Sequence, residues 1–333
     1  MSKVIDFYVE VIDNFGDLGF AINLAKIMLK SELNLSIRLF SNDKILFENM
    51  IKEKSINIDY FELKDIKIYK PSKIIFNFFD RKVDFDYLNS FDFDIKLINF
   101  SYFLMHEGVS SLHNTTYQNK NIFVTHFVPS LLENTGGVLI NNNFNYKNKD
   151  DFLAFINEKY DLNIQDNKNN FVSVFVYKDT LNEIIKNIKN DKNTYFIFGY
   201  DSIKINQDNI FIMPFFELDD YNNFLHICDI NIVRGENSLV SSLLTGNVTL
   251  WDIYKENNDA HIYKIDDFID FLAKFSFNND YFNIFKDFNL GDKYKNFENI
   301  IFKGEDYKTN FLNLKDYIKN DCDAYSKIKK ILN

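Results

Sequence analysis

The stretch that decides the fold is VIDNFGDLGFAINLAKIMLK, residues Val11–Lys30, close to the start of the sequence. It overlaps the apolar run Val4–Ile12 and predicts the end of a β-strand, a turn that contains Gly16, and a helix over about Gly19–Lys30. A strand, a glycine-containing turn and a helix together form the first unit of a parallel α/β fold. In many such folds this turn binds a phosphate group.

The turn also carries two acidic residues, Asp13 and Asp17, which would repel a phosphate. If the turn faces a ligand, two carboxylates favour a cation, or a proton that is to be removed, so the turn indicates an acceptor site rather than a nucleotide site. Asp17 is equally compatible with a simple helix cap, because acids near a helix N-terminus are stabilised by its free N–H groups.

Strand and helix patterns alternate through the rest of the sequence. The predicted strands are Val4–Ile12, Leu35–Phe40, Lys73–Phe78, Ile95–Phe100, Asn121–Thr125, Phe171–Tyr177, Thr194–Phe198, Ile210–Met213, Asp229–Val233 and Val248–Trp251. The predicted helices are about Gly19–Lys30, Asp43–Ile51, Asp151–Tyr160, Leu181–Ile188, Asp219–Ile227, Leu239–Leu244, Asp266–Phe275 and Asn310–Leu332. This alternation predicts an α/β protein with two doubly wound, Rossmann-like domains, with ligands bound at the carboxyl ends of the strands and an active site in the cleft between the domains.

Polar connections suggest where one domain ends and the next begins. The expected first domain covers residues 1–155 and the second covers residues 165–309. The amphipathic stretch at about 310–333 is expected to form one long helix that either ends the second domain or packs back on the first.

Composition excludes several classes of protein. Of the 333 residues 46% are hydrophobic, so a large core can form, and the net charge of −10 argues against nucleic-acid binding while leaving room for a cationic substrate group. The N-terminus follows a strand pattern rather than that of a signal peptide, and no apolar run reaches the length of a membrane span, so we expect a cytoplasmic protein. The histidines and the two cysteines show no metal-ligand spacing, so no metal is expected.

A second motif is IVRGENSLVSSLLTGN, residues Ile232–Asn247. The strand is expected to end before Arg234, with Gly235 in the turn and Ser238 at the start of a helix. A fixed cation, close backbone approach, a hydroxyl group and a helix N-terminus together suit a diphosphate. The alternative is an ion pair between Arg234 and Glu236 in a loop with a serine cap, which this spacing fits as well.

Two further motifs are weaker. In FVSVFVYKD, Phe175 and Tyr177 share one face at the end of a strand, where aromatic rings either contact a nucleotide or simply join the core. In ENTGGVLI, Gly136 and Gly137 permit close approach of the backbone to a ligand, although a pair of glycines alone is weak support.

These motifs together resemble the EarP-type protein-arginine rhamnosyltransferases, which modify an arginine of bacterial translation elongation factor P. The resemblance rests on VIDNFGDLG, INFSYF at Ile98–Phe103, TGGVL at Thr135–Leu139, VSVFVY at Val172–Tyr177 and CDINIVRGENSLV at Cys228–Val240. It implies a GT-B glycosyltransferase fold, and an inverting transfer of L-rhamnose from dTDP-β-L-rhamnose to the guanidinium group without a metal or another cofactor. The alternatives are a GT-B transferase with a small-molecule or glycan acceptor, and a nucleotide-sugar-binding protein without turnover.

The resemblance also implies roles for single residues. Asp13 and Asp17 match the catalytic carboxylates, with Asp17 as the base, and Glu236 matches a further active-site acid. Donor-binding positions correspond to Phe175, Tyr177, Tyr221, Arg234, Gly235, Asn237 and Ser238, with Tyr221 stacking on the thymine. The loops of the acceptor side contain Asn14, Phe15, Gly16, Gly136 and Gly137. One departure is Asn237, where the family commonly has Asp.

Overall fold

Short apolar strands and amphipathic helices build two compact units in this computed structural model. Unit 1 comprises residues 1–141 and 318–333, and unit 2 comprises residues 142–317. The residues that the structure describes are 3–12, 16–32, 34–51, 57–140, 144, 146–166, 169–188, 192–200, 203, 205, 207–255, 259–290 and 297–332, with the backbone alone for 297–305.

Unit 1 contains a sheet of seven strands in the order β3-β2-β1-β4-β5-β7-β6, parallel except for β6. Its elements are β1 (Lys3–Val9), α1 (Gly16–Ser31), β2 (Leu35–Ser41), α2 (Lys44–Met50), β3 (Ile58–Glu62), a 3₁₀ turn (Leu63–Ile68), β4 (Ile74–Phe78), α3 (Phe85–Asn89), β5 (Ile95–Phe100), α4 (Val109–Leu112), β6 (Thr116–Asn119) and β7 (Ile122–Phe127). Strand β1 is central and its last five residues are buried, which explains its continuous apolar run.

Unit 2 contains a parallel sheet of five strands in the order β10-β9-β8-β11-β12. Its elements are α5 (Lys149–Tyr160), β8 (Asn170–Phe175), α6 (Lys178–Asn187), β9 (Asn193–Ile197), β10 (Ile210–Ile212), α7 (Leu218–Ile227), β11 (Ile230–Arg234), α8 (Glu236–Leu243), β12 (Val248–Asp252), α9 (Ala260–Ala273) and α10 (Asn279–Leu290). Helix α11 (Phe297–Asp321) runs from unit 2 into unit 1 along the chain, and α12 (Ala324–Leu332) belongs to unit 1.

Both sheets have the strand arrangement of a Rossmann fold. In unit 1 the chain adds β2 and β3 on one side of β1 and then crosses over to add β4 on the other side. In unit 2 it likewise adds β9 and β10 on one side of β8 and then β11 on the other side. The reversal falls between β1 and β4 in unit 1 and between β8 and β11 in unit 2. Ligands of such sheets bind at the carboxyl ends of the two strands that flank the reversal.

Helix α5 belongs to unit 2, whereas the division predicted from the sequence assigned residues up to 155 to the first domain. The reason is packing, because Phe152 and Ile156 of α5 share a buried cluster with Phe171 of β8 and Phe196 of β9. The helix therefore covers the sheet that follows it in the chain.

The prediction of one long helix over Asn310–Leu332 is wrong. Two helices cover this stretch, and the chain between them pairs with the backbone of Val138. The Val138 amide donates to the carbonyl of Cys322 at 2.7 Å, and the Ala324 amide donates to the carbonyl of Val138 at 3.0 Å. These tertiary hydrogen bonds interrupt the helix, although the amphipathic sequence pattern of the whole stretch is typical of a continuous helix.

Candidate functional site

The acidic turn of unit 1 lies at the carboxyl end of β1, where the sheet order reverses. Asp13, Asn14 and Phe15 lie outside the described residues. Asp17 lies in the first turn of α1, directly after the exposed Gly16. It is only 4% exposed, and its Oδ2 accepts a hydrogen bond of 3.0 Å from the amide of Ile12. Asp17 therefore closes the turn between strand and helix, a structural role that is independent of any catalytic one.

The two glycines of the TGGVL motif pack against protein atoms. A Cβ atom on Gly136 would lie 2.5 Å from the Phe127 ring. Gly137 has a φ of +76°, and a Cβ atom there would lie 2.2 Å from the carbonyl oxygen of Cys322. Close packing within unit 1 thus accounts for both glycines, and their assignment to an acceptor loop stays a prediction.

The donor-binding candidates of unit 2 converge at the carboxyl ends of β8 and β11, at the reversal of the sheet. Phe175 ends β8, Arg234 ends β11, and Tyr177 lies two residues after the end of β8. The Arg234 guanidinium carbon lies 4.5 Å from the ring centre of Phe175 and 5.1 Å from that of Tyr177. A guanidinium on aromatic faces is held in place while its N–H groups keep their ability to bind an anion.

Tyr221 reaches this group from helix α7. Its ring centre lies 5.7 Å from that of Phe175 in an edge-on arrangement. Its hydroxyl oxygen is buried beside Ser238. Burial raises the pKa of Tyr221, and the Ser238 hydroxyl beside it opposes that rise in part. The structure thus brings Tyr221 beside Phe175, and the assignment of these aromatic residues to donor binding stays a prediction.

The turn after β11 has a backbone that requires glycine. Gly235 has φ +70° and ψ 158°, a region that is essentially restricted to glycine. It is the N-cap residue of α8 and, as a glycine, has no side chain with which to cap the helix. The half-buried residues Asn237 and Ser238 lie in the first turn of α8. A helix start without a side-chain cap, beside a guanidinium, favours a negatively charged ligand.

Glu236 forms an ion pair that sequence spacing does not reveal. Its Oε1 lies 3.1 Å from Nζ of Lys264, which α9 supplies from 28 residues further along the chain. Both side chains are about one-third exposed. The ion pair between Arg234 and Glu236, which remained possible from the sequence, is not among the ion pairs of the described residues.

Three residues near Arg234 were not predicted from the sequence: Gly199, Tyr200 and Asp252. Gly199, with φ +84°, lies so close to Phe175 that a Cβ atom would be 3.0 Å from its ring. The Tyr200 hydroxyl donates to the carbonyl of Val176 at 2.8 Å. Gly199 and Tyr200 lie two and three residues after the end of β9, and Asp252 is the last residue of β12. These positions could have indicated the site from the sequence, because the carboxyl ends of parallel strands meet at one edge of a sheet.

The described residues contain no group of three or more His, Cys, Asp or Glu side chains that could hold a metal ion. Likewise, none of the helices within the described ranges is long and apolar enough to cross a membrane.

The site in unit 2 therefore combines a cation, an open helix N-terminus and several aromatic rings. A nucleoside diphosphate has the matching groups, namely two phosphates and a flat base. The turn in unit 1 supplies a carboxylate instead. The two Rossmann-like units are the units of the GT-B fold, which the structural neighbours share.

A solved structure described as "Structural basis for EarP-mediated arginine glycosylation of translation elongation factor EF-P" superposes with a TM-score of 0.60 and 14% identity, over 99% of this chain and 98% of that one. "Spinosyn Rhamnosyltransferase SpnG complexed with spinosyn aglycone" superposes with a TM-score of 0.58 and 9% identity, over 99% of this chain and 100% of that one. At these identities the similarity shows the fold.

The chain belongs to the family "Elongation-Factor P (EF-P) rhamnosyltransferase EarP", whose sequence model matches residues 5–202 and 197–333. A protein-arginine rhamnosyltransferase of Pseudomonas aeruginosa is 39% identical over 59 residues, which are 18% of this chain and 16% of that protein. One from Neisseria meningitidis is 34% identical over 58 residues, 17% of this chain and 15% of that protein. The aligned segments thus span about one sixth of these curated relatives.

Proposed function

We propose that this protein transfers L-rhamnose from dTDP-β-L-rhamnose to the guanidinium group of an arginine in translation elongation factor P, with inversion at the sugar carbon. The observation that carries the proposal is the match of the EarP family model to almost the whole chain. The arginine and aromatic side chains at the carboxyl ends of β8 and β11 support it, because they suit a nucleoside diphosphate.

The donor binds to unit 2 in this proposal. Arg234 and the start of α8 bind the two phosphates, while the aromatic rings of Phe175, Tyr177 and Tyr221 surround the nucleoside. When the bond between the sugar and the diphosphate breaks, its electron pair stays on the leaving oxygen. The guanidinium of Arg234 and the N–H groups of α8 stabilise that charge.

The acceptor arginine binds at the acidic turn of unit 1. A guanidinium group has a pKa above about 12 and is a poor nucleophile while it is protonated and delocalised. Asp13 and Asp17 bind it in fork geometry, and a guanidinium nitrogen then forms the new bond to the sugar carbon. Asp17, whose Oδ2 is oriented by the Ile12 amide, accepts the proton that this nitrogen loses.

Acceptors of other classes are the main alternative, because a rhamnosyltransferase whose structure contains a spinosyn aglycone matches the fold about as well as the EarP structure does. Family membership favours the protein acceptor over a small molecule. A binding protein without turnover is the second alternative, and intact acidic residues in the turn argue against it.

The test is incubation of the purified protein with dTDP-rhamnose and an elongation factor P that has arginine at its modification site. We expect the intact mass of the factor to rise by one deoxyhexose residue, and a factor with lysine at that site to remain unchanged. Transfer to a small-molecule acceptor but not to elongation factor P would contradict the proposal, as would binding of dTDP-rhamnose without any turnover.

A further inference from the structure

A buried carboxylate at the carboxyl end of β12 has no part in the chemistry described above. Asp252 is only 3% exposed. It is the register partner of Arg234 on the neighbouring strand β11, so it lies one strand away from the guanidinium that we assign to the diphosphate.

Both oxygens of Asp252 accept hydrogen bonds from the start of α6. Oδ2 accepts from the Tyr177 amide at 2.8 Å, and Oδ1 accepts from the Thr180 hydroxyl at 3.1 Å. Tyr177 is the N-cap residue of α6, and its own side chain makes no capping hydrogen bond. Asp252 therefore performs from a distant strand the stabilising role that a local N-cap side chain performs in most helices.

The segment that Asp252 holds carries the aromatic face of the donor site. Phe175 and Tyr177 lie just before α6, and the Arg234 guanidinium lies over both of their rings. A shift of the start of α6 moves the Tyr177 backbone, and with it the ring that contacts Arg234.

We infer that Asp252 is a positioning residue of the nucleotide-sugar site, which fixes the start of α6 and thereby holds Tyr177 and Phe175 against Arg234. This inference rests on the proposed function for the identity of the ligand. The hydrogen bonds of Asp252 to Tyr177 and Thr180 are independent of that function.

The protonation state of Asp252 supports the inference. Burial raises the pKa of Asp252 to about 6, although the Tyr177 amide and Thr180 hydroxyl, together with the charges of Lys255 and Arg234, oppose the rise. Of the other titratable groups nearby, Tyr200 has a pKa that is raised by burial and by the charges of Asp252 and Asp179, while Arg234 opposes that rise. The ionised form of Asp252 lowers the stability of the fold, yet both of its oxygens accept hydrogen bonds from the same turn. Its role is therefore to hold that turn rather than to stabilise the fold as a whole.

The first experiment measures binding of dTDP-rhamnose by calorimetry at pH 7.5. We expect Asp252→Asn to weaken binding about five- to tenfold, because the amide offers only one acceptor oxygen to two donors. Thr180→Val is expected to weaken binding less, and to add little in the Asp252→Asn background. The control is Asp179→Asn, which removes the same charge from the exposed first turn of α6 and has no hydrogen bond to Tyr177.

The second experiment needs no ligand. Amide hydrogen exchange of residues 176–181 is expected to accelerate in Asp252→Asn and to stay unchanged in Asp179→Asn. In the wild type below about pH 6 the protonated carboxyl has only one good acceptor oxygen for the two donors, so exchange at the start of α6 (corrected for its intrinsic pH dependence) should rise and donor affinity should fall towards the values of Asp252→Asn, although loss of the buried charge stabilises the fold as a whole. Asp252→Asn itself should give flat profiles, and since it retains every histidine the difference isolates Asp252.

Unchanged exchange in Asp252→Asn would overturn the inference, as would donor binding that becomes tighter in both Asp252→Asn and Asp179→Asn, since that result marks a simple charge effect. If no variant and no wild type binds dTDP-rhamnose, the proposed function fails. The exchange data then still decide whether Asp252 holds the start of α6.

Discussion

Arg234 is the residue on which the proposed donor site of unit 2 depends most directly. We expect Arg234→Ala to weaken dTDP-rhamnose binding by roughly 1.5–3 kcal/mol, the usual range for a hydrogen bond to a charged group. The donor affinity of Arg234→Lys should lie between that of the wild type and that of Arg234→Ala. Lysine keeps the positive charge but loses the planar contact with the rings of Phe175 and Tyr177. Calorimetric titration measures both.

The control for Arg234 is Lys274→Ala, which removes one positive charge from an exposed position at the end of α9. It should bind the donor as the wild type does. Affinity that is unchanged in Arg234→Ala, Tyr177→Ala and Tyr221→Ala would mean that the nucleotide binds elsewhere.

Asp17 allows chemistry to be separated from folding. Asp17→Asn should abolish transfer and leave dTDP binding within a few fold, because the amide oxygen still accepts the Ile12 hydrogen bond but accepts no proton. Intact mass of elongation factor P reports transfer, and thermal unfolding reports the fold. Normal turnover by a well-folded Asp17→Asn would remove Asp17 as the base.

Asn237, in the first turn of α8, stands where the resemblance found from the sequence implies Asp. Asn237→Asp should change donor affinity by no more than about 1 kcal/mol, the net contribution of one ordinary hydrogen bond. The measurement is a titration of both proteins with dTDP-rhamnose and with a UDP-sugar. A wild type that binds only the UDP-sugar would contradict the assignment of the donor.

At the scale of the element, two glycines form a matched pair for substitution. Gly16 opens α1, and Gly137 precedes Val138, which pairs with the C-terminal segment. Gly137→Ala should lower the free energy of unfolding by roughly 2–4 kcal/mol, since its φ of +76° and its contact with Cys322 both exclude a Cβ atom. Gly16→Ala should be nearly neutral, because nothing lies within 4 Å of its Cβ position. Chemical denaturation compares the two, and equal stabilities would contradict the close packing at Gly137.

Elements with continuous apolar runs were predicted well from the sequence, as β8 and β11 show. Strand β3 was missed because its residues, Ile58–Glu62, are only partly buried and mix apolar with acidic side chains. The ends of elements were less predictable, and Asp252 was missed because strand β12 extends one residue beyond the apolar run. The pairing of Glu236 with Lys264 depends on how α9 packs, which no local pattern encodes.

At the scale of the whole molecule, Asp252 should leave a mark on the pH dependence of stability. Its pKa is raised from 3.8 to about 6 in the folded state, so the native protein binds more protons than the unfolded chain between those values. The free energy of unfolding should therefore fall as the pH rises from about 4 to about 6, by on the order of 3 kcal/mol from this group.

Denaturation of wild type and Asp252→Asn at pH 4.5 and pH 7.5 isolates that contribution. Stability should decline less with rising pH in the variant than in the wild type. The same decline in both proteins would mean that Asp252 has an ordinary pKa.

Metal independence is a property of the whole reaction. The proposal assigns the charge on the departing diphosphate to Arg234 and to the N-terminus of α8, so we expect transfer to continue unchanged in excess EDTA. A loss of transfer that Mg²⁺ restores would show that a cation supplies this charge instead.

The pairing of Val138 with residues 322–324 has a consequence for the order in which the protein is made. Unit 1 includes residues 318–333, and those residues leave the ribosome only after residues 142–317 have been synthesised. At about 5–20 residues per second, that interval lasts roughly 10–35 s. During this time the nascent first unit lacks the segment that hydrogen bonds to Val138, so unit 1 can be completed only after the whole of unit 2 has been synthesised.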